Sequence, residues 1–304
     1  MQLKKSVSVC LVVCAGYLCI SGRLSAYGYL AVDGGYRYDR VDESVQAFLP
    51  ALTGFVEIDD FIYKHIESYV VGAKGLWDDP CTHVFVKGKA HYGWINDGSY
   101  RDLELDEAHL GGNSFDASGG VGYNFNFCNR FSLIPLVGFS YDFIRLQAIN
   151  SPPTDIGFSV KTEKRKFSWY GPWVGFDLLL RSSLYSYDDL LFDIGYEFHY
   201  GWSRTKLSVD LDANENSPIW PYRTHFRDML GQVFHVDGCF FLCPQWTLGL
   251  SLQYTYWYNT HKMRSNVPTV FAPAFGATTE GTSQYIPDFT WHSFMVMFSI
   301  GYCF

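Results

Sequence analysis

The sequence predicts an all-β protein: a single ten-stranded antiparallel β-barrel that crosses a membrane with its strands. Three observations carry this. From His292 to Phe304 every second residue is apolar or aromatic (Phe294, Val296, Phe298, Ile300, Tyr302, Phe304), so one face of that strand is greasy. Similar alternation recurs along the chain with polar and charged residues on the opposite face, which a barrel interior accepts and a soluble sandwich core does not. The connections between these segments alternate between short and long, the rhythm of a barrel with short periplasmic turns and long external loops.

The first 26 residues read as an export leader. Lys4 and Lys5 form a positive start, Val7 to Ile20 an apolar stretch of 14 residues, and Leu24-Ser25-Ala26 a cleavage site. That stretch is too short for a bilayer, which needs about 20 residues. Residues 27–304 then form the barrel. Cleavage after Ala26 removes three of the 23 basic residues and none of the 31 acids, leaving 20 against 31 and a net charge of −11. So acidic a chain argues against nucleic acid as a partner. Aromatic residues make up 18%, including 22 Tyr and 25 Phe, which suits interfacial girdles. No later apolar run is long enough for a membrane helix, so membrane residence has to come from strands.

The elements follow in order. The first strand, 27–38, puts Leu30, Val32, Tyr36 and Tyr38 on one face. A polar stretch runs to about 65, and the second strand, 66–77, ends at a turn through Asp79-Pro80-Cys81. The third, 83–95, places Val84, Val86, Ala90, Tyr92 and Trp94 outward and Lys87, Lys89 and His91 inward. Asn96 to Ala117 reads as a long external loop. The fourth strand, 118–127, carries Val121, Tyr123, Phe125 and Phe127 outward. The fifth, 131–147, has Pro135 on its outer face, where a missing donor weakens a ladder. The sixth, 166–181, has the least regular alternation. The seventh, 190–204, sets Phe192, Ile194, Tyr196, Phe198, Tyr200 and Trp202 against Asp193, Glu197 and His199. The eighth, 226–240, holds His235 and Asp237 inward. The ninth, 246–260, alternates Leu248, Leu250, Leu252, Tyr254, Tyr256 and Tyr258 with polar residues. The tenth is 287–304.

Five cysteines remain after the leader: Cys81, Cys128, Cys239, Cys243 and Cys303. Cys81, Cys128, Cys243 and Cys303 fall at the periplasmic ends and could join the barrel to neighbouring envelope proteins by disulfides, which an exported protein permits. The inward charges are expected to form ion-pair networks filling a bore that ten strands leave narrow. No G-x-S-x-G, H-E-x-x-H or P-loop pattern occurs.

The layout, with Trp77-Asp78-Asp79-Pro80 after the second strand and Gly201-Trp202 in the seventh, resembles the omptins, outer-membrane endopeptidases of aspartic type. Arg101-Asp102 and the run Gly120-Val121-Gly122-Tyr123-Asn124-Phe125 also look like the omptin-related Protochlamydia outer membrane protein family. The omptin resemblance implies a site at the external mouth built from an Asp-x-Asp pair and an Asp-x-His pair around a water. Here Asp102 and Glu104 match the first pair, and Asp210 and Asp212 the second. Asp212 stands where the resemblance expects the base histidine, so nothing in the matched set titrates near neutrality in the ordinary way. The terminal strand ending in Phe304 resembles the signal read by the barrel assembly machinery.

The sequence therefore leads to a surface-exposed outer-membrane barrel of omptin-like architecture with an incomplete peptidase site, acting in envelope structure or surface interaction. The alternatives are an omptin-type endopeptidase cutting at basic residues and a narrow channel. No cofactor is expected beyond the dependence on lipopolysaccharide that the resemblance allows. The expected partners are outer-membrane lipid and lipopolysaccharide, the assembly machinery and disulfide-linked envelope proteins, with no nucleic acid.

Overall fold

A computed structural model describes residues 27–49, 54–102, 105–128, 130–149, 160–182, 190–211, 222–259, 265–266 and 284–304. The leader assigned to 1–26 lies outside the described residues. Ten long strands follow one another around a closed antiparallel sheet: β1 (Tyr27–Leu49), β2 (Gly54–Asp78), β3 (Val84–Asp102), β4 (Leu105–Tyr123), β5 (Phe131–Ile149), β6 (Val160–Ser182), β7 (Leu190–Leu211), β8 (Tyr222–Phe241), β9 (Trp246–Asn259) and β10 (Gln284–Cys303). A four-residue piece, Phe125–Cys128, continues β4 past Asn124 and pairs with β5. β10 closes the barrel on β1, with Tyr29 opposite Cys303 and Ala47 opposite Tyr285. Closure removes the unpaired edges that an open sheet would expose to lipid.

The alternation is realised as expected. Val32, Val137, Val174, Phe298 and Ile300 stand on the outside, more than half exposed, as the lipid face requires. Aromatic residues flank this band. Tyr69, Trp94, Tyr141, Tyr200, Trp202 and Tyr254 lie toward the external side, and Phe127, Trp246 and Phe304 toward the turns. Pro135 is on the outer face as read, and its neighbours Ile134 and Leu136 are buried inside.

The strands are longer than their apolar cores. β1 has 23 residues, about 75 Å of strand at roughly 3.3 Å per residue. Tilted about 40°, it still rises well beyond an apolar band some 25 Å tall. Asn96–Ala117, expected as a loop, is instead the upper part of the β3–β4 hairpin, and only residues 103–104 separate the two strands. Likewise only residues 50–53 separate β1 from β2. Above the membrane a sheet meets water outside, so the period-two signature fades while the hydrogen-bonded ladder continues.

Two bulges mark this transition. Each contains a residue in the left-handed region, His65 (φ 52°) in β2 and Asp228 (φ 63°) in β8, and the register shifts beside each. In both, a tyrosine on the neighbouring strand bonds the bulged residue: Tyr38 to His65 Nδ1 at 2.9 Å, and Tyr200 to Asp228. At the opposite end, Asp79 organises the β2–β3 turn. It accepts the Cys81 amide at 3.0 Å and the Thr82 hydroxyl at 2.6 Å, and these donors hold its carboxyl below the ordinary carboxylate range.

Candidate functional site

The four acids singled out from the sequence belong to the external end. Asp102 is the last residue of β3, opposite Leu105 of β4. Asp210 lies near the end of β7, opposite Thr162 of β6. Their side chains, and Glu104 and Asp212 altogether, lie outside the described residues.

The lumen, by contrast, is defined in detail, and its external half is closely filled by side chains. Its external half holds an apolar plug to which every strand except β7 contributes, among the described residues. Its centre is aromatic. Trp169 stacks on Trp291 with ring centroids 4.5 Å apart and planes 12° from parallel, and Phe167 stacks on Trp169 at 6.0 Å. Phe289 packs against both Phe167 and Trp169. Trp257 closes the β9 side, and Gly231 opposite it is required: a Cβ there would sit 2.7 Å from the indole. The inner face was expected to be polar throughout. It is apolar at this level because the strands have already left the bilayer, and a bore this narrow closes best with large side chains in mutual contact.

Beneath the plug the inner face is charged, as expected. Arg37 bonds Asp39 at 2.9 Å and Asp116 at 3.0 Å, with its guanidinium 5.1 Å from the centre of the Trp291 ring. His91 bridges Asp116 at 2.8 Å and Asp33 at 3.2 Å. Trp291 Nε1 donates to Asp39 at 3.1 Å, tying the plug to the charges. A second group centres on Lys87, which reaches Asp177 at 3.0 Å and Glu197 at 3.1 Å. Glu197 is also bonded by His199, which in turn meets Ser140. Lys74 pairs with Asp237 and Ser251, and Lys89 with Gln253 at 2.6 Å. Most of these pairs join strands that are not neighbours, so they cross the bore.

All eight inward residues named from the sequence on β3, β7 and β8 take part in this interior or line it. Asp33, Arg37, Asp39, Lys74, Asp116 and Asp177 were missed. The signal was present for three of them: if Val32, Tyr36 and Tyr38 face lipid, then Asp33, Arg37 and Asp39 face inward. A cavity of about 110 Å³ lies in the turn-side half of the lumen, bounded by Tyr27, Tyr29, Lys74, Asp193, His235 and Asp237 among others. That volume has room for a few waters.

The cysteines divide into two kinds. Cys81 and Cys243 are exposed in turns. Cys303, expected with them at the rim, points inward and is 5% exposed, within hydrogen-bond reach of Tyr27 Oη at 3.2 Å. The inward parity of Ser299, Gly301 and Cys303 decides this. Cys239 is buried beside Tyr29. Cys128 ends its strand piece, and its side chain lies outside the described residues.

On the outside, just above the aromatic level, the cross-strand register assembles a basic row. Arg145 of β5 lies opposite Lys166 of β6, and Lys166 opposite Lys206 of β7. Lys164 and Arg204 flank the row on the same outer face. Like charges side by side repel, and Lys166 is held below the usual lysine range by loss of hydration and by Arg145, Lys206 and Lys164. No acidic side chain among the described residues pairs with Arg145, Lys164, Lys166, Arg204 or Lys206.

A closed ten-stranded barrel with a lipid-facing apolar band, aromatic borders and a charged interior is an outer-membrane β-barrel. The model of the Protochlamydia outer membrane protein family matches residues 31–304, and the chain belongs to that family. Its fold is omptin-like. The outer membrane protease OmpT from Escherichia coli superposes with a TM-score of 0.68 at 12% identity, covering 94% of this chain and 99% of that one. The outer membrane protein OprG from Pseudomonas aeruginosa aligns over 91% of this chain and 96% of its own with 10% identity and a TM-score of 0.35. No curated protein matches the chain.

Proposed function

We propose that the protein serves the bacterial surface as a sealed outer-membrane barrel, acting in envelope structure or surface interaction through its tall external end and not through its bore. The observation that carries this reading is the lumen itself: the Trp169–Trp291 stack caps successive groups of buried ion pairs. A channel needs an unbroken polar path, and a water-filled bore is a property of wider barrels. Reconstituted into planar bilayers, the folded barrel should give no stepwise conductance. Steps sensitive to charge changes at Lys87 or Asp177 would restore the channel reading.

The peptidase reading rests on Asp102 and Asp210, which both occupy external strand ends. In this proposal Asp102, Glu104, Asp210 and Asp212 form an acidic mouth without a base. A refolded barrel supplemented with lipopolysaccharide should then cleave a dibasic fluorogenic peptide no faster than its Asp210→Ala variant. Cleavage lost in that variant would establish an enzyme.

The same proposal gives the basic row a partner. Three cations in register at the external border of the lipid face, Arg145, Lys166 and Lys206, suit the phosphates of an outer-leaflet glycolipid such as lipopolysaccharide, with Trp202 and Tyr170 available to pack against its sugar or acyl portions.

A further inference from the structure

We propose that Asp177, Asp193 and His235 form a binding site for one divalent transition-metal ion of the zinc class inside the barrel. The site is independent of the surface reading above. Three neighbouring strands supply the donors: Asp177 from β6, Asp193 from β7 and His235 from β8. One donor atom from each lies within 4.8 Å of the other two. Nitrogen and carboxylate oxygen together suit zinc, and three protein donors with an open fourth position is an arrangement zinc adopts.

Backbone design brings them together. Asp177 stands opposite Gly195, and Gly195 opposite His235, so the three form one cross-strand row. The middle residue has no side chain. A Cβ at Gly195 would lie 2.1 Å from the imidazole of His235 and 2.5 Å from Asp177 Oδ1. The glycine is therefore the gap through which the two donors approach each other. Asp193 enters from two residues earlier on β7.

The second observation is the state of His235. The residue is 8% exposed, and its Nδ1 has no hydrogen-bond partner. Nε2 points between two carboxylates, 3.5 Å from Asp177 Oδ1 and 3.9 Å from Asp193 Oδ2. Hydrogen bonds from a ring nitrogen run roughly 2.7–3.2 Å. Donors on a tetrahedral zinc, at bonds of about 2.0–2.2 Å, stand about 3.3–3.6 Å apart. Both contacts are longer than a direct bond; the 3.5 Å one matches ligands around a shared ion, and the 3.9 Å one has Asp193 closing by a few tenths of an ångström when the ion binds. Asp193 Oδ1 is likewise buried without a partner.

The surrounding charges accommodate the ion. Lys87 bonds both oxygens of Asp177 at 3.0 Å and reaches on to Glu197 at 3.1 Å. Each carboxylate oxygen has two lone pairs, so Lys87 can orient Asp177 while the metal takes the remaining direction, the role that partners of ligating carboxylates commonly play. Asp237, opposite Asp193 in register, is already paired with Lys74 and Ser251. Asp193 has no lysine or arginine ion pair among the described residues. The cavity bounded by Asp193, His235 and Lys87 gives a fourth ligand room as water.

The test uses the folded, full-length barrel in detergent, stripped with chelator and titrated with Zn²⁺ and then with Co²⁺, whose visible absorption is intense only in a tetrahedral site. One tightly held equivalent of Zn²⁺ and an intense cobalt spectrum are expected. His235→Gln and the isosteric Asp193→Asn should weaken both at least about tenfold while heat-modifiable gel mobility shows each variant folded. A folded wild type with no intense cobalt spectrum overturns the site and leaves His235 as a proton-sharing bridge between carboxylates. Equal metal retention in a folded Asp193→Asn barrel overturns it too, by assigning the metal to surface histidines.

Discussion

Replacing Arg37 with methionine should be among the most damaging single changes in the lumen. Arg37 is 3% exposed and serves two carboxylates, Asp39 at 2.9 Å and Asp116 at 3.0 Å. Removing one partner of a buried charge group typically costs about 3–5 kcal/mol, because the opposing charge stays behind without compensation. The structure places this case at the lower end. Asp39 keeps the Trp291 indole donor and Asp116 keeps His91. The lost contact with the Trp291 face adds something of order 1 kcal/mol, while the methionine chain retains most of the packing. A loss of about 3–4 kcal/mol is expected. The measurement is reversible urea unfolding in lipid vesicles, followed by tryptophan fluorescence, with an unchanged denaturant slope showing that the folded state is the same. The triple variant Arg37→Met, Asp39→Asn, Asp116→Asn should recover much of the loss. A drop under about 1 kcal/mol for Arg37→Met, or no recovery in the triple variant, would refute the view that these charges are dry and mutually dependent.

Thiol accessibility should divide sharply. Cys81 and Cys243 should react with a maleimide in the folded barrel, and Cys239 and Cys303 only after unfolding. If Cys81 and Cys243 are the linking thiols proposed for neighbouring envelope proteins, high-mass species on non-reducing gels should vanish in the Cys81→Ser/Cys243→Ser variant and persist in Cys303→Ser. Changing Lys166 and Lys206 together to glutamine should weaken binding of lipid A and flatten its salt dependence, while binding of zwitterionic lipid stays unchanged. An unchanged salt slope would dismiss the basic row as a lipid contact. Gly138→Ala should destabilise the barrel by at least 1–2 kcal/mol in the same urea assay, on the scale typical of overpacking, because its Cβ would meet the Gly119 carbonyl oxygen at 2.3 Å and Trp173 at 2.4 Å. Stability equal to wild type would show that both the neighbouring strand and Trp173 can shift without cost.

The membrane-embedded part of this fold was legible because lipid imposes the strictest chemistry on it. Residues such as Val32, Val137 and Phe298 had to face out, and period-two alternation recorded the fact. Legibility ended where the lipid ends. Gly111, Gly112 and the acids between Asn96 and Ala117 look like a loop, yet they continue a ladder whose pairing is satisfied strand to strand whatever the side chains are. The inward tryptophans were hidden for a related reason. Trp169, Trp257 and Trp291 break no local rule, and only their convergence from three strands makes a plug. The eight charged or imidazole residues read as inward were correct because each held the opposite parity to the outward apolar and aromatic residues of its own strand. What joins them across the bore, Lys87 to Asp177 or Arg37 to Asp116, is a property of closure and has no local sequence signal. The external acids were found by resemblance to a motif, and the register shows only that Asp102 ends its strand and Asp210 lies one residue from the end of its own.

The ion pairs that cross the bore also govern how the barrel can be made. Arg37 and Asp116 are 79 residues apart in sequence, Lys87 and Asp177 90, Arg165 and Glu43 122, and Lys74 and Asp237 163. None of these bonds can form within a single hairpin. A partly built sheet of five or six strands would carry its charged face toward lipid with few partners in reach, at a cost of about 2–3 kcal/mol or more for each charge near the bilayer centre. Stepwise insertion of hairpins is therefore uphill until the tenth strand meets the first, when the pairs become available together. Such a chain folds slowly, since most of its contacts are distant in sequence, and it gains from an assembly site that shelters the growing sheet until it closes. Once closed, the same bonds oppose unzipping from any one seam, because opening β1 from β10 would also expose Arg37, Asp39 and Trp291 together.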